Sequence, residues 1–264
     1  MTSDKPHAGR LAVVTGASTG IGFELARLCA ADGFDLIVAA DEPEIGAAAE
    51  TLRSHGGSVE PVQADLGGEE GVRALLDAIE DRPVDLACLN AGRGLGRAFL
   101  DQDLAEACRV IDVNVAGTTL LAHALAWRMR ERGEGRILFT GSIAGLMPGA
   151  FQAVYNATKS YVNSFALALR NELKDTGVTV TCLMPGPTET EFFRRADMLD
   201  TEVGAKDKRS AADVAADGYA AVMKDRSHVI SGAANKLQAA GSHLLSPDAL
   251  AEQHRKMAEP GTAE

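Results

Sequence analysis

Short apolar runs alternate with longer amphipathic stretches along most of the chain. Leu11–Val14, Leu36–Ala40, Val59–Gln63, Leu86–Leu89, Arg136–Thr140 and Val178–Met184 have strand length and are bounded by polar or glycine-containing segments. The segments between them carry helical periodicity and are long enough for right-handed crossovers. Strand–helix alternation of this kind predicts a parallel sheet with helices on both faces. The runs are apolar throughout instead of alternating, as strands covered on both sides should be. The expected fold class is therefore α/β, a doubly wound parallel sheet of Rossmann type.

Beyond Met184 the pattern changes. Pro185-Gly186-Pro187 opens an irregular stretch that runs to about Ser210, followed by a helix at Ala211–Lys224, a last strand at His228–Ile230 and a closing helix. A long segment past the C-terminal end of a strand reads as a substrate lid, here about residues 187–210. The residues from about Ala258 are expected to fray. No Pro/Ser-rich or charge-run linker divides the 264 residues, so the expectation is one domain spanning the whole chain.

Hydrophobic residues at 46% and charged ones at 24% give an ordinary globular balance. A formal net charge of -11 without clustered Lys/Arg argues against a nucleic-acid surface. Cys29, Cys88, Cys108 and Cys182 are scattered without a Cys-x-x-Cys pair, which predicts reduced core thiols and no metal centre. Met1–Arg10 is polar, and no uncharged stretch of spanning length stands out, so a soluble cytoplasmic protein without membrane contact is expected.

The turn Thr15-Gly16-Ala17-Ser18-Thr19-Gly20-Ile21-Gly22 lies between the first strand and a helix from about Ile21 to Ala31. Absent side chains at Gly16, Gly20 and Gly22 let backbone N–H groups and the helix N-terminus, with Ser18, Thr19 and Ile21 alongside, approach a pyrophosphate. No Lys follows the last glycine, which argues against a nucleotide-triphosphate loop. Asp41 stands nineteen residues after Gly22, where an acidic side chain bonds the adenosine ribose and repels a 2′-phosphate. Thr19 and the stretch Ala39–Ile45 lack Arg and Lys, so NAD(H) is favoured and NADP(H) remains open. The alternative reading of Asp41 and Glu42 is helix capping. Asp65-Leu66 and Asn90-Ala91-Gly92 follow the third and fourth strands, the sheet edge where such folds bind ligands.

Ser142 lies just past the fifth strand, and Tyr155 and Lys159 share one face of the next helix. A carbonyl that accepts hydride needs a proton donor and a second hydrogen bond on its oxygen, roles open to Tyr155 and Ser142. The Lys159 ammonium is expected to favour the phenolate and to reach the nicotinamide ribose, while Asn114 could hold a proton-relaying water. Taken in order, Thr15-Gly16 to Gly22, Asp65, Asn90-Ala91-Gly92, Asn114, Ser142, Tyr155-Asn156-Ala157-Thr158-Lys159 and Pro185-Gly186-Pro187-Thr188-Glu189-Thr190 resemble the classical short-chain dehydrogenase/reductase family from Leu11 to about Gly232. The resemblance implies a catalytic tetrad of Asn114, Ser142, Tyr155 and Lys159. It also implies cofactor contacts at Pro185, Gly186, Thr188 and Thr190, with the two threonines near the nicotinamide carboxamide. Leu89 departs from the pattern, since many members carry a second asparagine there.

Arg93, Gly94, Ile143, Ala144, Met147, Gln152, Pro187, Phe192 and Phe193 neighbour these motifs and are mostly apolar, which favours an uncharged or amphipathic ketone or secondary alcohol over a small dicarboxylate, with Arg93 or Arg97 able to hold one negative group. Hydride transfer between NAD(H) and such a pair is the leading function. An NADPH-dependent reductase and a non-catalytic dinucleotide sensor or scaffold are the alternatives. The resemblance further implies a homodimer or homotetramer built on the helices around Leu104–Arg132 and Gln152–Leu173, the latter presenting Ala157, Tyr161, Phe165 and Ala168 at helical spacing.

Overall fold

The computed structural model describes residues 5–242 and 244–263. The polar residues Met1–Asp4 at the head of the N-terminal stretch lie outside the described residues. A seven-stranded parallel sheet runs in the order β3-β2-β1-β4-β5-β6-β9. Its strands are β1 (Leu11–Thr15), β2 (Asp35–Ala40), β3 (Val59–Gln63), β4 (Val84–Leu89), β5 (Gly135–Thr140), β6 (Val178–Met184) and β9 (His228–Ile230). Two short strands, β7 (Thr188–Glu189) and β8 (Arg209–Ser210), pair with each other away from it.

Side chains alternate across this sheet, and both faces are dry. Leu11, Val13, Ile37, Ala87 and Phe139 pack on one face, under α3 (Glu69–Ile79), α5 (Thr118–Arg132) and α6 (Ala153–Glu172). Ala12, Val14, Leu36, Leu86 and Leu183 pack on the other, under α1 (Gly20–Asp32), α2 (Ile45–Arg53) and α9 (Ala211–Met223). Burial on both sides is why the sequence shows runs instead of alternation. The exceptions are the two edge strands: β9 has no buried residue, and β3 buries Val59 but exposes Glu60 and Pro61. With a neighbour on one side only, it tolerates a proline that lacks an N–H.

Strand order reverses between β1 and β4, and the crevice above their C-terminal ends is where a doubly wound sheet takes ligands. Segment 187–210 is more regular than expected: it contains β7, α7 (Phe192–Arg195), α8 (Glu202–Ala205) and β8. It is tied to the loop after β4 by Arg97, whose guanidinium bonds Asp197 at 2.7 Å and Asp200 at 2.8 Å. Two helices close the chain where one was expected, α10 (Ala233–Ser242) and α11 (Pro247–Ala258). Nor does the tail fray: Ala258 is buried, and the amides of Gly261 and Ala263 both donate to the Asp200 carbonyl.

Two other expectations change on packing. Helical structure is unbroken from Leu104 to Arg132, 29 residues with a mean hydropathy of 1.3 in its most apolar window, enough by length and composition to cross a membrane. Half of that window is buried inside the fold, as in a core helix that covers a sheet. Cys29, Cys88 and Cys182 are buried thiols, whereas Cys108 on α4 (Leu104–Ile111) is exposed.

Candidate active site

The turn after β1 is held from beneath. Gly16 and Gly20 adopt φ of 64° and 60°, the left-handed region that a side chain would strain. Gly22 acts differently from its expected ligand role: it is buried, it does not line the cavity, and a Cβ there would lie 2.0 Å from the Gly16 carbonyl. Its function is close packing of α1 against the turn. Thr19, at the N-cap, makes no side-chain capping bond, so the first N–H groups of α1 are left for an anionic ligand. Asn90 staples the turn to the sheet. Its Nδ2 donates to the carbonyls of Thr15 (3.1 Å) and Gly16 (3.3 Å), and its Oδ1 accepts from Thr140 Oγ1 (3.0 Å).

At the adenosine end, Asp41 sits one residue beyond β2 and faces the cavity with Glu42, Asp65 and Leu66. Two arginines distant in sequence arrive here. Arg109 of α4 donates to Asp65 at 2.8 Å and lies 4.0 Å from Asp41, and Arg195 of α7 pairs with Glu42 at 2.7 Å. Glu42 also accepts from Ser18 Oγ at 3.1 Å. Although burial opposes its charge, the Gly67 amide and the Arg109 guanidinium hold the Asp65 carboxyl below the usual range.

The helix after β4 reaches the site through a π-helical stretch at Asp112–Gly117, a local widening of the kind found at functional sites. It directs Asn114 inward, where Oδ1 accepts from the Arg93 amide (2.8 Å) and Nδ2 donates to the Arg93 carbonyl and to Thr158 Oγ1 (each 2.9 Å). Those bonds occupy the side chain, and Asn114 does not line the cavity. It positions the loop after β4 and helix α6.

Ser142 caps the short turn after β5, its Oγ accepting from the Ala144 amide at 3.1 Å. The Tyr155 hydroxyl faces Ser142. Burial pushes the phenol up to about 12, and the serine hydroxyl pulls in the opposite direction. Lys159 is itself buried, donates to the Thr140 carbonyl at 2.8 Å, and is pushed down to about 8 by burial. Both groups line the same wall of the cavity, where burial opposes charge on either one. Lys159 Nζ stands 5.9 Å from the Tyr155 ring centre. Gly92 lies over these groups, and a Cβ there would be 3.2 Å from Asn114 Oδ1 and 3.4 Å from Lys159 Nζ.

A cavity of about 920 Å³ joins these parts. Of the residues read from the sequence as site residues, Gly16, Ser18, Thr19, Gly20, Ile21, Asp41, Asp65, Leu66, Asn90, Ala91, Gly92, Ser142, Tyr155, Lys159, Pro185, Gly186, Thr188 and Thr190 line it. Every expected substrate neighbour from Arg93 to Phe193 does so as well. Phe192 rests on Gly94, where a Cβ would meet its ring at 2.2 Å, and lies 5.1 Å from the Tyr155 ring. Arg195, Gln238, His254 and Met257 also line the cavity and were not singled out. Their contribution follows from tertiary folding, and no local motif marks them.

Positive-φ glycines, an uncapped helix N-terminus and acidic groups at the second strand end fit a dinucleotide, and the fold with this site defines a dinucleotide-dependent oxidoreductase class. The sequence pattern of the short chain dehydrogenase family matches residues 10–198, and the chain belongs to that family. It is an NAD(P)-dependent dehydrogenase/reductase. It is 33% identical to 1-deoxy-11-beta-hydroxypentalenate dehydrogenase of Streptomyces exfoliatus, covering 84% of this chain and 82% of that one. A short-chain dehydrogenase from Sphingobium yanoikuyae in complex with NADPH superposes with a TM-score of 0.79 at 29% identity, over 89% and 94% of the two chains. A Burkholderia phymatum short-chain dehydrogenase/reductase in complex with NAD gives 0.78 at 27% identity, over 89% and 92%.

Proposed function

We propose that this enzyme moves hydride between NAD(H) and an uncharged ketone/secondary alcohol pair. The observation that carries the reading is the convergence of Tyr155, Ser142 and Lys159 on one side of a cavity whose other end is the glycine turn. A nicotinamide dinucleotide bound there supplies or accepts the hydride. Tyr155, kept protonated by burial, donates to the carbonyl oxygen during reduction, while the Ser142 hydroxyl gives that oxygen a second hydrogen bond. Lys159 is fixed by the Thr140 carbonyl beside Gly92, where it would hold the nicotinamide ribose. Asn114 positions the Arg93 backbone and Thr158, and so the two walls that carry the others.

NAD(H) is the preferred cofactor in this reading. Asp41, Glu42 and Asp65 outnumber Arg109 and Arg195 by three charges to two at the adenosine end, and each arginine is already engaged by a carboxylate. A 2′-phosphate would bring further negative charge to this group. Ile143, Met147, Phe192 and Phe193 supply an apolar surface for the substrate, and Arg93 is paired with Glu106 at 3.0 Å. The test is kcat/KM for a panel of uncharged ketones with NADH and with NADPH. Preference for NADH is expected, and turnover confined to carboxylate substrates would refute the substrate class.

A homodimer or homotetramer on the face formed by α4, α5 and α6 belongs to the same proposal. Leu104 and Trp127 are 68% and 53% exposed there, and Ile111, Val154 and Ala157 line a shallow apolar groove. Tyr161 and Phe165, expected on that face, are partly used by the core: they stack on each other, and Phe165 meets Phe139 edge-on.

A further inference from the structure

The far wall of the cavity comes from the C-terminal helix α11. His254 of that helix is buried, and its Nδ1 lies 2.8 Å from the Ala150 carbonyl. A carbonyl only accepts, so Nδ1 carries the hydrogen and Nε2 of the neutral ring keeps a lone pair. Burial holds the imidazole below its ordinary pKa, which keeps it neutral at pH 7. Nε2 has no hydrogen-bond partner among the described residues, and the ring lines the cavity.

Two residues beyond Ala150, Gln152 is only 5% exposed and lines the same cavity, yet its Nε2 donates to nothing among the described residues. Buried side-chain amides are nearly always bonded, so an orphaned one beside a cavity points to a ligand atom. The residue between them, Phe151, has φ of 63°, a conformation that a bulky side chain holds only when its surroundings impose it. Both restraints come from α11: His254 takes the Ala150 carbonyl, and the Arg255 guanidinium lies 5.2 Å from the Phe151 ring centre. The C-terminal helix thereby fixes the loop that presents Gln152 one helical turn before Tyr155.

An amide and an imidazole acceptor, set among Met147, Phe193, Val203 and Met257, complement one uncharged oxygen in an apolar molecule. A hydroxyl can donate to His254 Nε2 and accept from Gln152, and a carbonyl can accept from Gln152. Among the described residues the arginines near this wall are each paired with a carboxylate, Arg194 with Glu191, Arg195 with Glu42 and Arg255 with Glu259, which disfavours a carboxylate ligand. We propose that Gln152 and His254 form a recognition subsite for a second hydroxyl or carbonyl on an otherwise apolar ketone or secondary alcohol. The first oxygen sits at Tyr155 and Ser142, and this assignment rests on the hydride-transfer reading above.

The test uses matched ketones of increasing size, namely cyclohexanone, decalone and androstanone, each with a partner carrying one hydroxyl remote from the carbonyl. In at least one pair the wild-type enzyme should prefer the hydroxylated member by about tenfold or more in kcat/KM. Gln152→Met and His254→Phe should each bring that ratio to within about twofold. Gln152→Met should leave the unfolding midpoint unchanged or raised, since it removes an unpaired buried amide, whereas a structural glutamine would lower it. Dissociation constants of the corresponding diols and monoalcohols from the enzyme–NAD+ complex supply a readout that needs no turnover. A binding preference without turnover would sink the redox reading and leave the subsite standing. Ratios within twofold in all three pairs, or a preference that survives both substitutions, would overturn the subsite.

Discussion

Replacing Asn90 tests whether the phosphate turn is held by the sheet beneath it. Asn90→Ala removes two donated bonds, to Thr15 and Gly16, and one accepted from Thr140. At about 0.5–1.5 kcal/mol per bond, and with the site part-buried, the loss should be about 2–3 kcal/mol. For a chain of this size that is a fall of roughly 4–12 °C in unfolding midpoint. Asn90→Asp is nearly isosteric but aims a carboxylate at two carbonyl oxygens, so it should be worse than alanine although it packs as well. Urea titration with and without NAD+ is the assay, and both variants should also weaken NAD+ binding because the Gly16 turn is released. An alanine variant within about 0.5 kcal/mol of wild type, or an aspartate variant milder than alanine, would refute the staple.

Asp41→Ala should shift the NADH/NADPH ratio of kcat/KM by about tenfold toward NADPH, the reach of one charged contact, and an unchanged ratio would reduce Asp41 to a surface charge. Lys159 binds its proton in the unfolded chain up to its ordinary value of 10.5 but releases it near 8 when folded. Stability therefore rises with pH between those values, and Lys159→Met should gain stability relative to wild type at pH 7 and lose that gain by pH 10.5, as denaturant titrations at the two pH values would show. The same titration should place an alkaline limb near pH 8 on the rate of ketone reduction, absent from the Lys159→Met profile. Sedimentation should show a species larger than 27.6 kDa at micromolar concentration, dissociated by Trp127→Glu, and a lone 27.6 kDa species would count against the oligomer.

Five of the seven main-sheet strands were legible because both their faces are buried, which writes an apolar run into the sequence. The third, β3, was legible in position but not in character, since an edge strand is covered less. Local motifs announced the glycine turn, Ser142 and the Tyr155–Lys159 pair because each is held within one strand–loop–helix unit. What periodicity could not show was the direction of side chains at a packed junction. Gly22 and Asn114 belong to their motifs yet face protein, and Asn90 spends its amide on the turn. Nor could local sequence place Arg195 against Glu42, His254 against Ala150 or the tail against Asp200, contacts made across about a hundred residues or more in the first two cases. The charge balance at the ribose end, read from Ala39–Ile45 alone, omitted two arginines for that reason.

The most direct test of the central claim is Tyr155→Phe, assayed for reduction of whichever of the three ketone pairs the wild-type enzyme turns over fastest, with NADH affinity measured alongside. The ring remains to pack against Phe192 and only the proton donor is lost. kcat should fall by about a hundredfold or more, the usual worth of general acid–base catalysis, with the NADH dissociation constant near wild type. Retention of more than about a tenth of kcat would contradict Tyr155 as the proton donor.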